Sequence, residues 1–212
     1  MEFNFRSEKR MQGLVIVIDS GVANLRSACN ALVRLGATIK VAETPKDLAG
    51  ASKIVLPGVG AFAAGMEALR KGGFVEPIRD HAALGTPILG ICLGMQMLFK
   101  RSLEMGTHDG LGLLQGTVVR FPIETPKVPH IGWNQLQHDD QPRILKNVES
   151  GSYAYFVHSF YAQTLPENVL SYTEYGVAFP AVVGRGNVYG MQFHPEKSQV
   201  TGLRILKNFL EM

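Results

Sequence analysis

Pro87-Ile88-Leu89-Gly90-Ile91-Cys92-Leu93-Gly94-Met95-Gln96-Met97-Leu98-Phe99 decides how this chain is read. Pro87-Ile88-Leu89 has the apolar run of a short buried strand, and Met95–Phe99 has the pattern of a helix. Between them a cysteine has glycine two residues to either side. Strand, sharp turn and helix in that order make a nucleophile elbow, in which the turn lifts the central side chain above the sheet. The glycines are needed because the turn is strained and neighbouring backbone must pass close to it. Cys92 could also be a buried cysteine that caps the helix, and only a base brought from elsewhere in the chain separates the two readings.

Working outward, strands alternate with helices in the first half. Leu14–Ile18, Thr38–Val41 and Ile54–Leu56 have strand character. Leu25, Ala28, Leu32 and Leu35 lie at helical spacing, and Gly36 stops that helix. Helical patterns follow at Phe62–Arg70 and Val75–Leu84. This alternation predicts right-handed βαβ units and an α/β fold with a mainly parallel sheet flanked by helices. The second half changes character. Val118–Phe121, Trp133–Leu136, Tyr153–Val157, Val169–Thr173, Ala181–Gly184 and Val188–Phe193 have strand character, with turns rich in Gly, Pro, Asn and Asp. They predict antiparallel strands added to the first sheet. Gln199–Leu210 closes the chain as a helix, with Leu203, Leu206, Phe209 and Leu210 inward and Arg204 and Lys207 outward.

Bulk properties narrow the function. The 212 residues are 46% hydrophobic and 18% charged, which fits one globular domain with a full core. The net charge of +3 is spread along the chain, so no basic stripe suggests nucleic acid. No apolar run is long enough to span a bilayer, and no signal-peptide pattern is seen. Two cysteines, Cys29 and Cys92, are too few for a disulfide framework and suit a reducing cytoplasm. Cys29 falls in a helical pattern and is expected to be a small core residue. Met1–Arg10 is charged and aperiodic. It is set apart as an extension, with residues 11–212 as the domain.

Gln192-Phe193-His194-Pro195-Glu196 supplies the base. His194 ends a strand, where an α/β sheet presents functional groups, and Pro195 favours extended backbone before it. Extended residues i and i+2 point to one side, so Glu196 can fix the imidazole tautomer and stabilise its cation. Cys92 is then expected to be held largely as thiolate by His194 and the helix N-terminus. His81, His108, His130, His138 and His158 show no comparable partner. No spacing of His, Asp or Glu suggests a metal, and no cofactor is implied. For an oxyanion hole, the N–H of Leu93 is one donor. The Pro57-Gly58-Val59-Gly60 loop, after the Ile54–Leu56 strand, offers the second, although it could be an ordinary tight turn. Gly58-Val59-Gly60-Ala61-Phe62-Ala63 also matches a dinucleotide fingerprint, with Glu76 and Asp80 near the distance of a ribose-binding acid. The context is wrong: this is the third strand, and both acids fall in a helical pattern.

The order Cys…His-Pro-Glu differs from the usual α/β-hydrolase order. From about Leu14 to Leu210 the chain resembles the class I (triad-type) glutamine amidotransferases, a flavodoxin-like single-domain fold. Within that family it looks like the glutaminase subunits of imidazole glycerol phosphate synthase. Pro57-Gly58-Val59-Gly60, the stretch from Val128 to Asn134, the stretch from Tyr155 to Tyr161, and the opening Asp19-Ser20-Gly21-Val22-Ala23-Asn24-Leu25 carry this closer likeness. The resemblance implies glutamine hydrolysis by Cys92, His194 and Glu196, with Gly58, Val59, Gly60 and Leu93 forming the oxyanion hole. It implies that Gln96 and Glu104 hold the amino-acid end of the substrate, and that His158, Ser159 and Phe160 contact it through backbone. It also implies a (β/α)₈-barrel cyclase partner that receives the ammonia, docked through Asn24, Trp133, Asn134, Tyr155 and Lys197. Service to another synthesis, such as that of anthranilate or pyridoxal phosphate, and a regulatory relative without activity are the alternatives.

Overall fold

The computed structural model describes residues 13–19, 21 and 24–212. The expected extension Met1–Arg10 lies outside them, as do Ser20, Val22 and Ala23 of the opening motif.

The first half is a βα succession. Strands β1 (Leu14–Ile18), β2 (Thr38–Ala42), β3 (Ala51–Gly58) and β4 (Ile88–Cys92) are joined by helices α1 (Leu25–Arg34), α2 (Phe62–Lys71) and α3 (Val75–Ala83). The short helix α4 (Leu93–Met97) follows β4 directly. The second half supplies β5 (Phe99–Ser102), β6 (His108–Asp109), β7 (Leu114–Arg120), β8 (His130–Leu136), β9 (Ser152–His158), β10 (Phe160–Thr164), β11 (Val169–Glu174), β12 (Ala178–Arg185) and β13 (Val188–Met191). Helix α5 (Gln199–Leu210) ends the chain.

The main sheet runs β11-β12-β13-β4-β3-β1-β2. Its five strands β2-β1-β3-β4-β13 are parallel to their neighbours, in the order of the flavodoxin-like doubly wound fold. Alternate residues of these strands feed two cores. Val15, Val17, Val55, Leu89 and Ile91 pack with α1 and α5 on one face. Ile16, Ile18, Ile54, Leu56 and Ile88 pack with α2, α3 and α4 on the other. A strand buried on both faces shows no polar alternation, so these segments read as continuous apolar runs.

Two expectations are corrected. Helix was expected through Phe99, yet the helix ends at Met97 and Phe99–Ser102 is strand β5, parallel to β7 and antiparallel to β6. Pairing with distant strands wins over a local apolar run that suits either state. The later strands do not all join the first sheet. Only β11, β12 and β13 do so; β10-β7-β5-β6 form a second sheet, and β8-β9 form a two-stranded ribbon. The ribbon is tied to the main sheet by a pair of backbone hydrogen bonds between Gln137 and Tyr172, 2.8 and 2.9 Å. Helix α5 buries Leu203, Leu206, Phe209 and Leu210 as expected, and Ile205 and Asn208 with them. Asn208 is accommodated because its side-chain amide donates to the carbonyls of Ile144 and Lys146, 2.9 and 2.8 Å.

Candidate active site

β4 lies in the middle of the sheet and ends on Cys92, at the carboxyl edge where such sheets present their sites. Cys92 has φ 54° and ψ −112°, a strained conformation for a residue with a side chain. The flanking glycines explain how it is held. A Cβ on Gly94 would overlap the carbonyl oxygen of Leu56 on the neighbouring strand. A Cβ on Gly90 would press 2.6 Å against the backbone of Gly94. The elbow therefore packs backbone on backbone, and only glycine leaves room.

His194 follows β13 in extended conformation, φ −93° and ψ 99°, as Pro195 dictates. Pro195–Lys197 is a 3₁₀ turn and not the expected extended strand. The turn still brings Glu196 back, with Oε1 2.9 Å from His194 Nδ1 and both side chains almost wholly buried. The Ser198 hydroxyl donates to the His194 carbonyl at 2.6 Å and accepts from the Tyr155 N–H at 2.9 Å. This braces the turn against the ribbon. Burial alone would pull the His194 pKa down. Hydrogen bonding and charge from the Cys92 sulfur and the Glu196 carboxylate outweigh it and push the pKa up to about 9. The ring thus carries its second proton at neutral pH, between a sulfur and a carboxylate.

Cys92 and His194 open into a cavity of about 250 Å³ lined also by Val59, Gly60, Leu93, Gln96, Glu104, Pro129 and the Val157–Phe160 segment. Residues expected at the substrate thus come together from β4, α4, the segment after β5, and the β9–β10 corner. Gln96 Nε2 donates to the Phe160 carbonyl and to Gln192 Oε1, both at 3.0 Å. Glu104 accepts from the N–H of Phe62 at 2.7 Å, so one carboxylate both faces the cavity and caps α2.

Pro57 and Gly58 belong to β3, with Gly58 paired to Cys92 in the register, so the expected loop begins one step later. A Cβ on Gly58 would meet Gly94 N and Leu93 Cβ at 3.0 Å. The two expected oxyanion-hole segments therefore lie side by side. Gly60 has φ 92°, a left-handed conformation that favours glycine. The dinucleotide fingerprint finds no support here, because Glu76 and Asp80 lie on α3, and Glu76 pairs with Arg79 at 2.7 Å. Among the described residues no group of three or more His, Cys, Asp or Glu is placed to hold a metal ion. No described helix is long and apolar enough to cross a membrane.

Three of the expected docking residues also converge. Trp133 packs edge-on to Tyr155, with ring centroids 5.8 Å apart, and Lys197 Nζ stands 5.9 Å from the centre of the Tyr155 ring. Trp133 is 46% exposed, and Ile131 and Tyr153 share its exposed face at 58% and 54%. Trp133 sits within strand β8, in line with the strand character of Trp133–Leu136. Asn134 faces the other way: its Nδ2 donates to the Glu174 carbonyl at 2.9 Å. Asn24 precedes α1.

Two residues were missed. Gln192, fully buried on the stretch after β13, places Nε2 3.9 Å from the Cys92 sulfur. His130 on β8 has a close partner in His158 after all, at 3.1 Å. Neither carries a local signal; a buried glutamine beside a known base, and two histidines on strands of one ribbon, were the only hints.

Residues 16–212 match the family described as glutamine amidotransferase class-I. The chain belongs to the class-I glutamine amidotransferase family. Within it, the chain is similar to proteins named imidazole glycerol phosphate synthase subunit HisH. It is 50% identical to that of Desulfitobacterium hafniense over 197 residues, covering 92% of this chain and 93% of the relative. It is 47% identical to that of Archaeoglobus fulgidus over 199 residues, covering 94% and 98%. Among solved structures, PurLQS from Thermotoga maritima superposes with TM-score 0.74 at 22% identity, covering 95% of this chain and 99% of that one. A structure described as a glutamine amidotransferase also gives TM-score 0.74, at 23% identity over 92% and 97%. These last two speak to the fold alone.

Proposed function

We propose that this chain, with residues 11–212 as its one amidotransferase domain, is a cytoplasmic glutaminase subunit of an imidazole glycerol phosphate synthase. It would hydrolyse glutamine and pass the ammonia to a (β/α)₈-barrel cyclase that works in histidine biosynthesis. The observation that carries this reading is His194, hydrogen-bonded to Glu196 at 2.9 Å and lining one cavity with a strained cysteine.

In the proposed reaction the Cys92 sulfur attacks the side-chain amide carbon of glutamine. The Leu93 N–H and a peptide group of Gly58, Val59 or Gly60 stabilise the tetrahedral oxyanion. His194, protonated and oriented by Glu196, gives its proton to the departing ammonia and then takes one from water. Water cleaves the γ-glutamyl thioester and releases glutamate. Glu104 faces the substrate's α-ammonium and Gln96 steadies the same end, with His158, Ser159 and Phe160 contributing backbone. No metal or cofactor enters these steps.

Ammonia released into water is protonated and loses its nucleophilicity, so the product must leave through the partner. Trp133, Tyr155 and Lys197 form the docking face in this reading, with Asn24 as a further contact, whereas Asn134 faces away from Trp133. An aromatic anchor with a cation beside it suits such an interface. Gating would act at the Gly58–Gly60 segment, where turning one peptide presents an N–H in place of a carbonyl. Isolated subunit that turns over glutamine as fast as the complex would contradict that gating.

Replacing the nucleophile tests the whole reading. In the complex, Cys92→Ala abolishes glutamine-dependent synthesis of imidazole glycerol phosphate and leaves synthesis from added ammonium intact. Loss of both would assign Cys92 to the fold or the interface instead.

A further inference from the structure

His130 on β8 and His158 at the end of β9 stand opposite each other in the ribbon register, and both are buried, at 3% and 6% exposure. His130 Nδ1 lies 3.1 Å from His158 Nε2, and His158 Nδ1 lies 2.8 Å from the carbonyl oxygen of Phe160. The tautomers follow from the far end of this chain. A carbonyl only accepts, so His158 Nδ1 carries a proton and donates it to Phe160. His158 Nε2, left as an acceptor, receives the Nδ1–H of His130. His130 Nε2 is then an acceptor too, and Asn134 Nδ2 stands 3.4 Å away. Asn134 is itself oriented, because its Oδ1 accepts the Gln135 N–H at 2.8 Å while its Nδ2 donates to Glu174 at 2.9 Å. Burial lowers the His130 pKa to about 4 and the His158 pKa to about 3, so each ring holds a single proton at neutral pH.

The bond at the end of the chain acts on the pocket. A single residue, Ser159, separates β9 from β10, which belong to different sheets. The backbone must turn that corner while lining the cavity. A side chain that donates to a carbonyl two residues on pins such a turn. The same Phe160 carbonyl accepts Gln96 Nε2 at 3.0 Å, so the corner is locked to the helix that follows the elbow.

We propose that the His158 side chain is a positioning residue for the glutamine reaction. It holds the 158–160 corner in the pocket wall, and His130, oriented by Asn134, fixes the one tautomer that can do so. This rests on the glutaminase reading above. The rings also fill aromatic space: Tyr175 stacks on His130 with centroids 3.9 Å apart, and Phe179 lies 5.0 Å from His158. Packing of that kind is indifferent to which nitrogen carries the proton; the proposed role is not.

Amide isosteres separate the two. Asn at position 158 places an N–H near the site of Nδ1, whereas Gln reaches toward the site of Nε2. In the complex with the cyclase and its ligand, His158→Asn keeps the glutamine KM within about threefold of wild type, and His158→Gln raises it about tenfold or more. In both, kcat moves less than KM. Equal KM shifts in the two variants, or none in either, overturn the proposal. A wild-type complex without glutamine turnover overturns the glutaminase reading instead, and the positioning role with it. A second measurement needs no variant. Nitrogen-15 NMR of histidine-labelled protein at neutral pH is expected to find both rings neutral with the proton on Nδ1. A proton on Nε2 of either ring, or an imidazolium, overturns the assignment.

Discussion

At the scale of single residues, the proposed reaction divides acid–base work from positioning according to the environment of each histidine. His194 sits between a sulfur and a carboxylate and is raised to about 9, whereas His158, walled by aromatic rings, is lowered to about 3. Burial lowers both; Cys92 and Glu196 raise His194, whereas the neighbouring His130 and His194 lower His158 further. Glu196→Gln keeps the shape of the side chain but removes one anion, so the fall in activity that accompanies His194 deprotonation moves to lower pH. Glutaminase activity at neutral pH drops by about two to four orders of magnitude, as expected when an orienting carboxylate is lost. A pH–rate profile of the variant complex checks both. An unchanged alkaline limb would mean that Glu196 does not hold the imidazolium. Cys92, His194 and Glu196 were legible in the sequence because each lies in a short motif whose backbone geometry is local: glycines around a turn, proline after a histidine. Gln192 and His130 were not, because their partners, Gln96 on α4 and His158 on β9, are not local in the sequence.

At the scale of elements, the elbow depends on two close backbone approaches. Gly94→Ala drives a methyl group into the Leu56 carbonyl and is expected to destabilise the fold by about 3 kcal/mol or more. Gly112→Ala is the control. That residue has φ 69° but open space around it, so only backbone strain of about 1 kcal/mol is expected. Thermal melts of the two variants distinguish steric overlap from strain, and similar losses would contradict the packing account. The βα half was readable because a parallel strand buried on both faces, followed by an amphipathic helix, leaves an unmistakable pattern. Pro57-Gly58 within β3 and Phe99–Ser102 as β5 were not, since proline and glycine signal turns locally and an apolar tetrapeptide suits either state. Their partners, β4 for one and β6 and β7 for the other, decide. The short strand β10 was missed outright, and it forms only by pairing with β7.

At the scale of the whole molecule, one face and one pH profile follow. Ile131, Trp133 and Tyr153 leave an apolar patch on the outer side of the ribbon, with Lys197 close by. Trp133→Ala is expected to weaken association with the cyclase by about tenfold to a hundredfold and to leave the melting temperature of the isolated chain nearly unchanged. Titration calorimetry and a melt check this, and a large drop in stability with intact affinity would make Trp133 a core residue. Stability itself should fall on both sides of about pH 6.5. The folded-state pKa values of His130 and His158 lie below the unfolded value, so their contribution is complete above about 6.5 and is lost as pH falls toward about 4 and about 3. That of His194 is raised, so its contribution is complete below about 6.5 and is lost as pH rises through about 9. Melts across this range should show the alkaline slope shrink in Cys92→Ala, which removes one of the two partners that raise His194. An unaltered slope would contradict the pairing.

The central claim is that Cys92 is the nucleophile that glutamine meets. The most direct measurement treats the complex, in the presence of the cyclase ligand, with a diazoketone analogue of glutamine and maps the adduct by peptide mass spectrometry. Cys29 is the internal control, since burial and then the Asp19 carboxylate raise its thiol pKa. The account predicts one adduct, on Cys92, suppressed by excess glutamine. An unmodified Cys92, or equal labelling of Cys29 that glutamine does not protect, would contradict it.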